Sequence, residues 1–320
     1  MRVALAGLGF FSEFHVDAWE RLAPSHAIVG VADPLPEARS RFTATHPGVP
    51  TFASVEEMLK ATEPDVLDVV VRPELHEFVT RAGIAAGADV ICQKPLAPTM
   101  NECSALVDEA EAAGRRLLVH DNWRFQPWWS AVRDALEAGR LGRPFFAHFR
   151  IRSGDGAGDR PFPNQPYFAL MPRLLFYETA IHQIDTFRSL FGEITELRAI
   201  RGTVREDIAG EDIGAAVLRS ESGVIGVIEG NRWTAAPEFN PAFGNAVVEG
   251  TGGVLVVAND GTVSIDGAVL YESPPASGYR GDSVMATTRH LVAALESGTE
   301  SPLEARNYLR TMAAVFRAYE

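Results

Sequence analysis

Hydrophobic and polar positions alternate in blocks along the first 120 residues, and these blocks predict strands and helices in turn. The predicted strands are residues 2–6, 28–32, 66–71, 89–92 and 116–120, and the predicted helices are 12–22, 35–45, 74–86 and 99–113. Ser54 and Thr99 each precede a glutamate by three positions, which predicts a capped helix start at both. Regular alternation of this kind predicts βαβ units in a doubly wound parallel sheet.

After about residue 123 the strand-like segments follow one another with few helices between them. Strands are predicted at 145–151, 196–203, 213–218, 224–233, 246–250, 254–257 and 262–265, and helices at 127–139, 173–191, 282–297 and 302–319. Asn259-Asp260-Gly261 predicts a hairpin turn, and the glycine-rich and proline-rich stretch 154–166 predicts a mobile loop. We therefore expect an α/β chain with a parallel-sheet domain at 1–122 and an α+β domain at 123–320, the latter with a large, mostly antiparallel open sheet.

Length and charge narrow the class of protein. The chain has 320 residues and a net charge of −13, from 29 basic and 42 acidic residues. An acidic chain without a basic run is a poor partner for nucleic acid, and no apolar stretch reaches the ~20 residues that span a bilayer. Cys92 and Cys103 are too few for a disulfide framework, and no signal-peptide pattern opens the chain. We expect a soluble, cytoplasmic protein with no nucleic-acid or membrane partner.

A glycine-rich turn follows the first predicted strand directly. Gly7 and Gly9 permit a tight turn in which backbone N–H groups can approach a pyrophosphate. The start of the following helix also attracts this anion. Ser12 stands where the usual fingerprint has its third glycine. Asp33 ends the second strand, where an acid binds ribose hydroxyls and repels a 2′-phosphate, which favours NAD over NADP. The alternative is a purely structural turn in which Asp33 caps a helix.

Lys94 follows the predicted strand 89–92 within the segment Gln93-Lys94-Pro95. Because ligands of doubly wound sheets bind at the carboxyl ends of the strands, this lysine is a candidate functional residue. The alternative is an ordinary solvated loop lysine.

Glu178 and His182 stand four positions apart in a predicted helix, so they are expected to share one helix face. Such a pair suits a histidine general base supported by a carboxylate, and Asp185 lies one turn further along. The alternative is a salt-bridged surface helix. A zinc site is disfavoured because no cysteine or further histidine stands nearby.

Four motifs together resemble those of the glucose–fructose oxidoreductase, inositol dehydrogenase and rhizopine-catabolism (Gfo/Idh/MocA) oxidoreductases. They are Gly7-x-Gly9-x-x-Ser12-x-x-His15; Gln93-Lys94-Pro95, with Gln for the family's Glu; His120-Asp-Asn122-Trp-Arg124-Phe125-x-Pro127; and Glu178-x-x-x-His182-x-x-Asp185, with Glu for Asp. Segments 177–191 and 125–129 resemble most the members that act on aldoses such as the branched pentose apiose.

The resemblance implies a Rossmann domain that holds NAD(P), a second domain whose open sheet mediates oligomerisation, and hydride transfer on a sugar or polyol. The implied catalytic residues are Lys94, His182 and Glu178. The predicted cofactor contacts are Gly7, Gly9, Phe10, Phe11, Asp33, Arg72, His76, Gln93 and Lys94, and the predicted substrate contacts are Asn122, Trp123, Arg124 and Asp185, with no metal. The expected cofactor is NAD. Two other readings stay open: glycoside cleavage through transient oxidation by tightly held NAD, and a non-catalytic NAD-binding sensor.

The strands between residues 196 and 265 also predict assembly. Helices can cover only one face of this sheet, and an exposed apolar face is unusual on a monomer. The apolar positions are Val224, Val227, Val247, Leu255 and Val257, and the polar positions that would instead make the face solvated are Arg219, Glu221, Glu229, Arg232 and Glu249. The prediction is a homodimer or homotetramer packed through this sheet.

Overall fold

The computed structural model describes residues 1–235, 242–274 and 278–320, and these form two compact units. The first unit comprises Met1–Asp121 and Val284–Met312, and the second comprises Asn122–Ser283 and Ala313–Glu320. The chain therefore leaves the first unit after Asp121 and returns to it at Val284.

Six parallel strands and five helices make up the amino-terminal part of the first unit. The strands are β1 (Arg2–Ala6), β2 (Ala27–Ala32), β3 (Thr51–Phe52), β4 (Val66–Val69), β5 (Asp89–Gln93) and β6 (Leu117–His120). The helices are α1 (Ser12–Arg21), α2 (Pro36–Thr45), α3 (Val55–Thr62), α4 (His76–Ala85) and α5 (Met100–Ala112). The strand order β3-β2-β1-β4-β5-β6 is the doubly wound order, which confirms the predicted parallel sheet.

Local sequence accounts for most of these elements. Every residue of β4 is buried, as expected for a parallel strand covered on both faces. The hydroxyls of Ser54 and Thr99 accept hydrogen bonds from the backbone N–H groups of Glu57 and Glu102, both at 3.2 Å, so both predicted helix caps are confirmed. The two-residue strand β3 is too short to produce a periodic pattern, and the sequence did not predict it.

The closing helices divide differently from the prediction that assigned all of residues 123–320 to the second domain. They are α8 (Ser283–Ser297) and α9 (Ala305–Arg317), and residues 284–312 belong to the first unit. There the backbone N–H of Val119 donates to Leu303 O at 2.9 Å, and Arg116 donates to Thr299 O at 2.8 Å. An amphipathic pattern predicts the helices but does not say which sheet their apolar faces cover.

Eight strands and the helices α6 (Pro127–Glu137) and α7 (Ile181–Phe191) dominate the second unit. The strands are β7 (Pro144–Arg152), β8 (Ile194–Gly202), β9 (Ile213–Ser220), β10 (Ile225–Asn231), β11 (Ala246–Gly250), β12 (Gly253–Val257), β13 (Val263–Ile265) and β14 (Ala268–Tyr271). Their order is β14-β13-β12-β11-β7-β10-β9-β8, antiparallel throughout except between β7 and β10. The predicted α+β class and the hairpin at Gly261 between β12 and β13 are both confirmed.

Helix α7 covers one face of this sheet. A Cβ on Gly226 would lie 2.5 Å from the Phe187 ring, so only glycine admits such close packing of helix and strand. On the opposite face Val217 is 55% exposed and Ile200 is 81% exposed.

The positions named in the assembly prediction divide between buried and more exposed sites. Val224, Leu255 and Val257 are buried, whereas Val227 and Val247 lie half-buried in one cross-strand row with Val217. Arg232, which the alternative of a solvated face would place outward, is instead buried, because it follows the end of β10 and pairs there with two carboxylates.

The segment 154–166, predicted to be a mobile loop, is packed against the second unit. Phe162 and Phe168 form a buried cluster with Leu174, and the backbone N–H of Gly156 donates to Arg232 O at 2.8 Å. The composition of this segment indicates an irregular backbone, but burial of Phe162 against Phe168 and Leu174 holds it in place.

Candidate active site

The glycine turn has the shape that a bound dinucleotide needs. Gly7 has φ of +99°, and a Cβ there would lie 2.6 Å from Val70 O, so glycine is required. Apart from its two chain neighbours, no described residue comes within 4 Å of the Cβ position at Gly9, which leaves the backbone open to a ligand. Helix α1 begins at Ser12 without a side-chain cap, so its first turn offers backbone N–H groups to an anionic group.

Asp33 joins the end of β2 to the glycine turn. Its carboxylate accepts hydrogen bonds from the backbone N–H groups of Leu8 and Leu35, each at 2.9 Å. A carboxylate offers about four lone-pair sites, so Asp33 retains acceptor capacity for ribose hydroxyls. The Arg39 guanidinium donates to Asp33 O at 2.6 Å, which places a cation beside the acid. Gly7, Gly9 and Asp33 therefore fit an NAD-type dinucleotide.

The turn that carries Lys94 is held by a buried histidine. Lys94 is half-buried and follows the last residue of β5, at the carboxyl end of the sheet as predicted. The ring of His76 lies between two backbone carbonyl oxygens, Pro95 O at 2.7 Å and Val71 O at 3.1 Å. Burial lowers the pKa of His76 to about 4, so the ring is neutral and donates one hydrogen bond.

Among the other predicted cofactor contacts, Phe10 and Arg72 are exposed, and Phe11 is half-buried with its ring centroid 5.6 Å from that of His15. Gln93 is buried, and its amide nitrogen lies 2.8 Å from a ring nitrogen of His15 and 3.1 Å from one of His120.

The helix predicted at 173–191 is two elements, which corrects the expected geometry of Glu178 and His182. A π-turn spans Leu175–Thr179 and closes with a hydrogen bond from Ala180 N to Leu175 O at 2.7 Å, and α7 begins only at Ile181. The two side chains therefore do not share a regular helix face. The Glu211 carboxylate causes part of this break by accepting the backbone N–H of Phe176 at 3.1 Å.

His182 stacks on Trp123. The two rings are parallel within 4°, with centroids 4.7 Å apart, and both residues are buried. Trp123 lies in a short 3-10 turn, Trp123–Phe125, that precedes α6. The predicted base and one predicted substrate contact are thus brought together.

Glu178 forms an ion pair with Arg232. Its carboxylate lies 3.1 Å from the Arg232 guanidinium and accepts the Thr179 hydroxyl at 2.6 Å, while Arg232 also binds Asp155 at 2.6 Å. Burial disfavours the charge of Arg232, but Asp155 and Glu178 raise its pKa, so the guanidinium stays charged. The sequence analysis placed Arg232 inside the predicted strand 224–233, whereas β10 ends at Asn231, so no sequence signal distinguished this arginine.

The remaining predicted substrate contacts pair within the second unit. Arg124 binds Asp185 through two parallel hydrogen bonds, both of 2.6 Å, and both residues are buried. Asn122 donates to the Ser283 hydroxyl at 2.7 Å. Asn122 and Arg124 flank Trp123 in the sequence, and Asp185 follows His182 by three residues.

Across the described ranges, no group of three or more His, Cys, Asp or Glu residues is arranged to hold a metal ion. In those same ranges, none of the helices has both the length and the apolar character to cross a bilayer.

Two family models match the chain. The model described as "Oxidoreductase family, NAD-binding Rossmann fold" matches residues 1–121, and the "GFO/IDH/MocA C-terminal domain" model matches residues 129–256. Their division falls close to the boundary between the two units at residue 121.

Curated proteins and solved structures give matches over most of the chain. D-apiose dehydrogenase of Paraburkholderia graminis is 33% identical over 99% of this chain and 86% of that protein. Inositol 2-dehydrogenase 4 of Saccharopolyspora erythraea is 28% identical over 72% of this chain and 66% of that protein. A crystal structure of an Agrobacterium radiobacter oxidoreductase in complex with NAD+, L-tartaric acid and magnesium is 25% identical, with a TM-score of 0.91, and the match covers 100% of this chain and 95% of that one.

Proposed function

We propose a substrate class and a set of catalytic roles for this chain, which belongs to the GFO/IDH/MocA family of NAD-binding oxidoreductases. It is an NAD-dependent dehydrogenase of a sugar or polyol. Within that class we propose a monosaccharide, D-apiose or a similar branched aldose, as the substrate. The similarity to a D-apiose dehydrogenase over 99% of the chain is the observation that carries this choice.

We propose that the first unit binds the cofactor and that the second unit binds the sugar. The open backbone at Gly9 and the uncapped start of α1 support binding of the pyrophosphate, and Asp33 supports NAD over NADP through its negative charge. Bound NAD supplies the hydride acceptor. Arg39 would meet a 2′-phosphate, but it is engaged with the carbonyl of Asp33.

His182 removes the proton of the reacting hydroxyl in this proposal, and Lys94 donates a hydrogen bond to the same oxygen as its negative charge develops. The family motifs supply this pairing of roles. The parallel Trp123 ring holds the imidazole in one plane, which favours a base of fixed orientation. Glu178 acts through Arg232 and Thr179, as a carboxylate that orders the π-turn preceding α7.

The sheet of the second unit supports an oligomer. Its uncovered face carries Val217 and Ile200, which are 55% and 81% exposed, together with half-buried Val227 and Val247. We propose a homodimer or homotetramer packed through this face. The free, buried thiols of Cys92 and Cys103 support a reducing, cytoplasmic location.

Formation of NADH from NAD and a sugar panel tests the function. D-Apiose, unbranched pentoses, hexoses and myo-inositol are compared, and we expect sustained NADH production that is fastest with D-apiose. His182→Ala is the matched inactive control, with binding of NAD measured separately to show an intact cofactor site. Sustained turnover excludes a sensor and an enzyme that never releases NADH, while a faster rate with inositol than with every aldose would overturn the substrate proposal.

A further inference from the structure

Four buried polar side chains form a connected cluster inside the first unit, behind the turn that carries Lys94. Asp68 lies in β4, Gln93 in β5 and His120 in β6, three neighbouring strands, and His15 reaches them from α1. All four are at most 7% exposed, and the His15 and His120 ring centroids are 4.3 Å apart. None of the four has a part in the proton transfer proposed above.

The Asp68 end of the cluster is anionic. Its Oδ2 atom accepts the indole N–H of Trp19 at 2.7 Å and lies 2.8 Å from His15 Nδ1. Burial opposes ionisation of Asp68, but the hydrogen bonds that its carboxylate accepts from His15 and Trp19 favour the charged form. Asp68 Oδ1 is buried and accepts no hydrogen bond from the described residues, so the negative charge is incompletely compensated.

The Gln93 amide determines which ring nitrogens carry hydrogen. Its Nε2 atom lies 2.8 Å from His15 Nε2 and 3.1 Å from His120 Nδ1, while its Oε1 accepts the backbone N–H of Lys94 at 3.3 Å. An amide nitrogen has two hydrogens to donate and accepts none, so both ring nitrogens that face it must be acceptors.

The rest of the cluster agrees with that assignment. His15 then carries its hydrogen on Nδ1 and donates it to Asp68. His120 carries its hydrogen on Nε2, which lies 3.3 Å from the Thr288 hydroxyl, and that hydroxyl donates onward to Val284 O at 2.9 Å. Burial also lowers the pKa of His120 to about 3, which independently keeps this ring neutral.

We propose that Gln93 is a positioning residue: its amide locks His15 and His120 as opposite neutral tautomers and, through its oxygen, holds the backbone of Lys94. The catalytic turn thereby rests on a buried hydrogen-bonded cluster. Besides the two histidines, the ionisable groups around the amide are Asp68, Cys92, Lys94 and Asp121. Burial raises the pKa of the Cys92 thiol to about 12. The Asp121 carboxylate accepts a hydrogen bond from the Tyr308 hydroxyl at 2.8 Å.

A carboxylate at position 93, as in the family's Glu-Lys-Pro motif, would change the proton content of the cluster. Glutamate has no hydrogen to give, so each ring nitrogen facing it would have to be a donor. His15 already donates through Nδ1 to Asp68, and it would therefore become an imidazolium. Because Asp68 is incompletely compensated, a second buried carboxylate requires this proton.

Nitrogen NMR of the whole protein, labelled with ¹⁵N in its histidine rings, tests the lock directly. At pH 7 we expect His15 to be the neutral Nδ1–H tautomer and His120 the neutral Nε2–H tautomer. His15→Asn and His120→Asn identify the two signals among the eight histidines. An imidazolium at either position in the unaltered protein at pH 7, or the same tautomer at both, would overturn the proposal even if every variant failed to fold.

Two variants of similar length separate positioning from bulk packing. Gln93→Glu should convert His15 to an imidazolium at pH 7, whereas Gln93→Met, which has neither donor nor acceptor of comparable strength, should leave both rings neutral. Two neutral rings in folded Gln93→Glu would contradict the proposal.

The kinetic consequence rests on the dehydrogenase function proposed above. Gln93→Met should lower kcat about tenfold, as expected for one lost buried hydrogen bond, with the KM for sugar and the Kd for NAD within about twofold. An unchanged kcat would overturn the positioning role. Failure of the unaltered protein to oxidise any sugar would instead reject the function and leave the NMR result to decide the tautomer lock.

Discussion

The rings of Trp123 and His182 lie parallel within 4°, with centroids 4.7 Å apart, in the second unit of the chain. One comes from a 3-10 turn and the other from the second position of α7. Neighbouring aromatic rings in such offset arrangements are stabilised by about 0.5–1.5 kcal/mol beyond their burial. The stack therefore restricts the orientation of the proposed base, and it motivates the first prediction.

Removing the aromatic ring at position 123 should impair catalysis more than cofactor binding. Trp123→Leu is expected to lower kcat/KM about tenfold, because about 1.4 kcal/mol of ring orientation is lost. Trp123→Phe keeps a ring against His182 and should lose about threefold or less. Steady-state kinetics check this, with urea unfolding of both variants as the control for stability. Equal losses in the two variants would contradict an orienting role.

Lys94 and His182 are expected to act as a unit. Lys94→Ala and His182→Ala should each lower kcat by about 1,000-fold or more and leave the Kd for NAD within about threefold, and the double variant should be little worse than either single variant. Stopped-time NADH assays and NAD titrations measure both quantities. Additive losses in the double variant would show that the two residues serve separate steps.

Asp33 should determine the choice of cofactor. Asp33→Ser is expected to reduce the preference for NAD over NADP by about tenfold, because it removes a negative charge that repels the 2′-phosphate of NADP. It should also destabilise the protein by about 1–2 kcal/mol, because the backbone N–H groups of Leu8 and Leu35 lose their acceptor. Asp17→Ser, at an exposed position on α1, is the charge-matched control. Equal affinity of the unaltered protein for the two cofactors would reject the role.

The buried Arg124–Asp185 pair should contribute to stability through its pairing. Asp185→Ala leaves a buried guanidinium without its carboxylate and is expected to lower the free energy of unfolding by about 3–5 kcal/mol. Removing both charges in Arg124→Met/Asp185→Leu should restore part of that loss. Asp17→Asn breaks the exposed Arg21–Asp17 pair for comparison and should cost less than about 1 kcal/mol. A raised KM with unchanged unfolding would assign Asp185 to the substrate instead.

Acid should destabilise the protein below about pH 6.5 because of its buried histidines. Burial lowers the pKa of His76 to about 4 and of His120 to about 3, whereas each titrates near 6.5 when unfolded. In this window the unfolded state binds more protons, so stability is full above pH 6.5 and falls as the pH decreases. We expect a loss of about 2 kcal/mol per histidine between pH 6.5 and pH 5. Urea unfolding at several pH values measures it, and His76→Gln should show a shallower slope than the unaltered protein.

The sequence is compatible with either an apolar or a solvated outer face of the second sheet, the face on which Val217 is 55% exposed. The alternating pattern indicates that one face is covered, but the pattern does not identify which residues the helices reach. Val224, Leu255 and Val257 proved to be buried with the helices, and Val217 and Ile200 carry the exposed apolar surface instead.

Local sequence patterns were sufficient to predict the two kinds of sheet, the glycine turn at Gly7 and Gly9, the capped helices and the placement of Lys94 after β5. All of these depend on local periodicity, on conformations that only glycine adopts, or on hydrogen bonds within a few residues, so a short window of sequence contains their cause.

Contacts between side chains that are distant in the sequence become visible in the folded structure and not before. The π-turn before His182 depends on the carboxylate of Glu211, more than thirty residues away, and the burial of Arg232 depends on Asp155 and Glu178 from two other segments. From the sequence, Gln93 differs from the family's glutamate only by the loss of a negative charge. In the fold, its amide nitrogen lies within hydrogen-bond distance of both His15 and His120. A buried polar group without a hydrogen-bond partner costs free energy, so these pairings matter for stability. The partners come from distant parts of the chain, and the spacing of residues in the sequence does not show which of them will meet.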